Sequence, residues 1–145
     1  MFRLVAFTAL FLFSFQLFAQ NNADAILGTW LTGDEKGHVQ IYKQNGGYFG
    51  KIVWIKEPLK DGKPVLDTKN PDPKKRSQPV MGLVFLRNFA YEGDDVWEGG
   101  KIYDPESGKD YSCKMTLRNE NTLDVRGFIG FSLLGRTDTW KRVKN

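Results

Sequence analysis

Cysteine and histidine are almost missing from this chain. Its 145 residues hold one of each, Cys113 and His38. A single cysteine cannot close an intramolecular disulfide. A single histidine removes the clustered-histidine sites of zinc enzymes and leaves one candidate for any histidine-dependent triad. Strong charge of one sign is also lacking. Twenty-one cations against seventeen acids give a net +4, too mild for a nucleic-acid partner, which needs a concentrated basic face. Neither a heptad nor a Gly-X-Y period appears, which excludes a coiled coil and a collagen-like chain. Intrinsic disorder is excluded by a 41% hydrophobic and 14% aromatic composition, ample to offset chain entropy. The length suits one domain.

Long apolar runs are missing too, with one exception at the N-terminus. Residues 1–19 read MFRLVAFTALFLFSFQLFA and contain six of the eleven phenylalanines. One cation at Arg3, an apolar stretch and a small residue before a polar segment predict a secretory signal peptide cleaved near Ala19. The apolar run is shorter than the ~20 residues a spanning helix needs. No second such run follows, so the mature chain is expected to carry no transmembrane segment and to act in the periplasm or outside the cell. Removing residues 1–19 takes away Arg3 and no acid, so the net charge falls from +4 to +3.

In the remaining chain, 20–145, period-2 alternation recurs between turn signals, which predicts strands. Eight are expected, at 27–32, 38–44, 48–55, 79–93, 96–104, 109–118, 122–130 and 135–143. Asn45-Gly46-Gly47 is a hairpin signal, and Gly50 suits a bend or bulge in a curved sheet. Cys113 alternates with Tyr111, Met115 and Leu117, a core pattern. Eight consecutive antiparallel strands close a small up-and-down barrel, the expected fold, with an open β-sandwich as the alternative. Residues 56–78 differ in kind, with four prolines, seven cations and four acids; a structureless stretch of that length is often functional.

Two patterns carry a resemblance. Gly28-Thr29-Trp30 opens the first strand and Arg142 closes the last, so an arginine stacked on an indole is expected where these strands meet. This resembles the end signature of lipocalin and calycin barrels. Five segments carry the second: GTWLT at 28–32, GKIVWIKEP at 50–58, DTKNPDPKKRSQPVMGL at 67–83, GGKIYDPESGKDY at 99–111 and LDVRGFIGFSLLGRTDTWKR at 123–142. Together they resemble domain of unknown function family 2147 across residues 26–143. That resemblance implies an exported, compact single-domain bacterial protein and carries no reaction, cofactor or catalytic residue.

The leading functional expectation is a non-enzymatic barrel holding a small, partly apolar or anionic molecule. Trp30, Trp54, Trp97 and Tyr103 are the candidate aromatic contacts, and Arg76, Arg126 and Arg142 the candidate polar anchors. Asp67, Asn70 and Asp72 form D-x-x-N-P-D in the long loop. Their spacing departs from the calcium-binding pattern and suits Asx turns, so loop architecture is expected. A second expectation is a filled barrel recognising a protein or envelope component through 56–78 and 127–135. The third is a hydrolase with Asp67 or Asp104 as acid or base and Arg76 or Arg126 as anion holder. His38 is expected at the surface. A Cys113–His38 catalytic pair lacks any accompanying elbow or oxyanion motif.

Overall fold

The computed structural model describes residues 22–128 and 135–145. The expected export signal at 1–19, and residues 129–134 of the expected 127–135 recognition surface, lie outside the described residues. Among the described residues there are ten strands: β1 Gly28–Leu31, β2 Gly37–Gln44, β3 Gly47–Ile55, β4 Leu59–Lys60, β5 Lys63–Pro64, β6 Val84–Gly93, β7 Val96–Asp104, β8 Lys109–Asn119, β9 Thr122–Phe128 and β10 Gly135–Arg142. Eight close into an antiparallel barrel in the order β1-β10-β9-β8-β7-β6-β3-β2, while β4 and β5 form a separate two-stranded sheet. β1 bonds to both β2 and β10, which closes the ring and excludes the open sandwich.

The turn chemistry explains most of the connections. Asn45 and Gly46 both take positive φ, at 50° and 78°, the pair that a tight hairpin between β2 and β3 requires. Asp94 and Asp95 do the same between β6 and β7. At Gly50 the β3–β6 register shifts on both sides, as the break in the side-chain row anticipates. A second irregularity, between Trp97 and Gly100, interrupts the β7–β8 register. A Cβ on Gly100 would come within 2.5 Å of the Phe89 ring, so only glycine lets β7 pass that close.

Two expectations are corrected here. The strand expected from Pro79 starts at Val84. Pro79 is bridged to Leu66 instead, Val80 donates to the Val65 carbonyl, and Gly82 turns the chain at φ 87°. The 56–78 stretch is also not structureless. It contains the β4–β5 hairpin and a 3₁₀ turn at Pro73–Lys75 whose preceding residue, Asp72, accepts a hydrogen bond from the Lys74 amide. Local Asx and backbone bonds build this excursion, and hydrophobic alternation does not reveal them.

The two barrel ends differ. At one end the segment Ala23–Leu27 packs across the core. Trp97 Nε1 donates to the Ala23 carbonyl at 3.1 Å and Trp30 Nε1 to the Ile26 carbonyl at 3.0 Å. Arg142 donates to the carbonyls of Ala25 and Leu27, both at 2.7 Å. Its guanidinium lies 4.3 Å from the Trp30 ring centroid, the expected stacked contact between first and last strands. Tyr48 fastens the same plug by donating to Asp24 at 2.6 Å. That bond, foremost, holds the Asp24 carboxyl below its usual pKa, against an opposing effect of burial and with help from Lys43. The opposite end, where β3, β7 and β9 finish, has no such plug among the described residues.

Candidate functional site

The last strand shows how sequence lines the open end. Trp140 is buried in the core and pairs with Leu123 of β9, while Asp138 pairs with Val125 and Arg136 with Gly127. Directly opposed residues share a face, and alternate residues repeat it. Arg136 and Asp138 therefore continue the inward row of Trp140 toward the mouth. Gly127 removes a side chain from the facing strand. These residues border a cavity of about 850 Å³. Ile52, Phe85, Ile102, Val125 and Trp140 form its apolar wall, Tyr103 and Tyr111 add phenol rings, and Asp104, Glu106, Arg136 and Asp138 supply charge.

The charged groups are not equivalent. Asp138 Oδ2 accepts from the Trp140 indole at 2.7 Å and from the Gly33 amide at 3.2 Å. Asp104 accepts from the Glu106 amide at 2.9 Å and from the Ser107 hydroxyl at 2.7 Å, which caps the β7–β8 turn. Arg136, by contrast, forms no ion pair among the described residues. An apolar wall with one uncommitted cation can accommodate a molecule that is apolar along its body and anionic at one point.

Of the residues singled out from sequence, Asp104 and Tyr103 border this cavity. Tyr103 is buried, and its hydroxyl donates to Asp67 at 2.6 Å. Burial and that bond push its pKa up to about 12. Trp30, Trp97 and Arg142 are assembled at the plugged end instead, with both indoles fully buried. Trp54 lies half-exposed, its ring 4.6 Å from that of His38. Arg126 is paired with Thr137 on the row that alternates with the cavity-facing one, and its Nη1 donates to the Thr137 hydroxyl at 3.1 Å.

Asp67, Asn70, Asp72 and Arg76 come together in one network within the excursion. Asn70 Nδ2 donates to Asp67 at 2.8 Å, the Asp72 amide to Asn70 Oδ1 at 2.9 Å, and Arg76 Nε to the Asn70 carbonyl at 2.7 Å. Asp67 is fully buried with both oxygens occupied. Among the described residues no group of three His, Cys, Asp or Glu side chains is placed to hold a metal ion. The D-x-x-N-P-D motif thus builds the loop and latches it to Tyr103.

Sequence reasoning missed Phe85, Ile102, Tyr111, Arg136 and Asp138. A signal for the last two existed: they precede Trp140 at period 2. The others required knowing which end of the barrel stays open. Cys113 is buried as expected, and burial drives its thiol pKa up to about 12. No helix among the described residues is long and apolar enough to cross a membrane.

No curated protein matches the sequence. Among solved structures, the chain is similar to protein HP1028 from the human pathogen Helicobacter pylori, which belongs to the lipocalin family. The TM-score is 0.74 at 26% identity, over 83% of this chain and 84% of that one. The barrel is lipocalin-like in its closure and its eight strands. The five sequence segments, which contribute to β1, the excursion, the β7–β8 turn and the cavity-lining strands, fall within residues 28–142. Over that span the chain belongs to the bacterial family described as uncharacterized protein conserved in bacteria (DUF2147).

Proposed function

We propose that this protein is an exported, non-enzymatic binding barrel whose open end holds a small amphiphile, apolar along its length and anionic at one end. The observation that carries this reading is the cavity of about 850 Å³ with Arg136 uncommitted at its edge. That volume lies within the ~300–1,000 Å³ of ordinary small-molecule sites. The membership of HP1028 in the lipocalin family supports the reading. Export rests on the basic, apolar and small-residue pattern of residues 1–19. The plug gives rigidity at one end, and the cavity accepts the ligand at the other.

The test is a titration with two probes, neutral N-phenyl-1-naphthylamine and dodecanoate. Both are expected to saturate at one site. Energy transfer from Trp140, which lines the cavity, reports the first, and displacement reports the second. Arg136→Glu is expected to weaken dodecanoate about tenfold, the loss of one charge-assisted hydrogen bond, while leaving the neutral probe unchanged. Absence of saturable binding by either probe overturns the proposal. Equal loss of both probes overturns the assignment of Arg136 as the anion contact.

A further inference from the structure

We infer that the excursion between β3 and β6 is a docking surface for an anionic lipid bilayer. Three observations meet on this one segment, and none depends on the ligand proposed for the cavity. The first is apolar exposure. Val53, Trp54, Leu59, Leu66 and Met81 are the exposed large hydrophobic side chains among the described residues, and all five fall between positions 53 and 81. A cluster of this kind on an otherwise polar surface marks an interaction site.

The second observation is charge. Lys56, Lys60, Lys63, Lys69, Lys74, Lys75 and Arg76 are all exposed. Of the four acids in the same stretch, Asp67 is fully buried beneath Tyr103. Residues 56–78 carry a net +3, and residues 20–55 and 79–145 together balance to zero. The segment therefore holds the entire excess charge of the mature chain. The four ion pairs among the described residues involve Lys43, Arg87, Lys114 and Arg118. None of the seven excursion cations is neutralised by a partner carboxylate.

The third observation is that the segment is stitched into one layer. The Gly82 amide donates to the Ile52 carbonyl at 2.8 Å, which sets Met81 beside Val53. The Val65 amide donates to Pro58 and the Val80 amide to Val65. Leu59 pairs with Pro64, and Leu66 with Pro79. Apolar side chains interleaved with uncompensated cations match a bilayer interface: the former enter the headgroup boundary and the latter meet the anionic phosphates. The docked face also adjoins the mouth. A second recess, lined by Lys56, Val65, Leu66, Lys69 and Val80, shares Pro105 and Glu106 with the cavity.

The test uses the full mature chain with vesicles of phosphatidylcholine alone and of phosphatidylcholine with phosphatidylglycerol. Sedimentation is expected with the anionic vesicles only, and release on adding salt. Each cation at such a surface strengthens partition about fivefold. Lys60→Glu with Lys63→Glu is therefore expected to lower it at least tenfold, and Leu59→Asp to lower it independently. Trp30, Trp97 and Trp140 are buried while Trp54 is 40% exposed. Docking thus shifts Trp54 emission to the blue, brominated lipid quenches it, and Trp54→Phe removes the quenching. Near-UV circular dichroism confirms that the variants, all at exposed sites, remain folded.

Four results overturn the inference. One is failure to sediment with anionic vesicles, and another is equal sedimentation with neutral ones. The third is quenching that survives Trp54→Phe, which assigns the lipid contact to the cavity and Trp140. Polyphosphate binding that abolishes vesicle sedimentation without any Trp54 shift replaces the bilayer with a soluble polyanion, and likewise overturns it.

Discussion

Arg142 donates from Nε to the Glu120 carbonyl at 2.6 Å, from Nη1 to Leu27 and from Nη2 to Ala25, and covers the Trp30 ring. Burial lowers its pKa, with the Glu120 charge acting the other way. A lysine offers the charge without the planar fork. Arg142→Ala is therefore expected to destabilise the barrel by about 3 kcal/mol, the sum of one or two charged hydrogen bonds and a cation–π contact. Arg142→Lys should recover less than half of that, read from urea midpoints. Cys113 makes a simpler case. Buried and with its thiol pKa raised to about 12, it should not react with a thiol reagent at pH 8 in the native state. It should react fully once the chain is unfolded.

At the scale of elements, the latch between the excursion and β7 has a defined pH dependence. Tyr103 donates to Asp67 only while protonated, and its folded pKa of about 12 exceeds the ~10 of an unfolded tyrosine. A raised folded value means the stabilisation is complete below pH ~10 and is lost as pH rises through 12. Wild type should exceed Tyr103→Phe by about 1–2 kcal/mol at neutral pH. The gap should close by pH 12 in paired urea titrations. At pH 7 the variant should also lose protection of Lys69, Lys74 and Lys75 against trypsin, because the excursion is then held by fewer bonds. Gly100→Ala belongs to the same scale. Its Cβ would strike the Phe89 ring, so a loss of about 2 kcal/mol or more is expected by thermal melting.

The barrel strands were legible in the sequence because alternation, Asn45-Gly46 and Asp94-Asp95 are local signals. The β4–β5 hairpin was not. Two-residue strands with exposed Leu59, Lys60 and Lys63 have no buried face to impose a period. The bulge at Gly99-Gly100 was invisible for a similar reason, since it answers to Phe89 on another strand. Trp30 and Arg142 were correctly brought together by strand order, but which end they occupy depends on the plug at 23–27. That choice moved the cavity away from Trp30 and Trp97 and onto Phe85, Tyr111, Arg136 and Asp138. Asp67 and Asn70 were expected to serve loop architecture, and they bond to each other within the excursion. The bond from Tyr103 to Asp67 is long-range and had no signature in the local pattern.

On the scale of the whole molecule, the two barrel ends differ in how the described residues fill them. Trp30, Trp97, Ile26 and Leu123, all fully buried, fill the plugged end, and among the described residues the other end has a hollow between Phe85, Val125 and Trp140. The central claim is that a ligand occupies this hollow. Native mass spectrometry of the protein, purified without detergent from the cells that make it, tests that claim most directly. Wild type should carry one small molecule that Val125→Trp, folded by near-UV circular dichroism but with its cavity filled, does not retain. A bare chain in both proteins, together with no uptake of added amphiphile by the wild type, would contradict it.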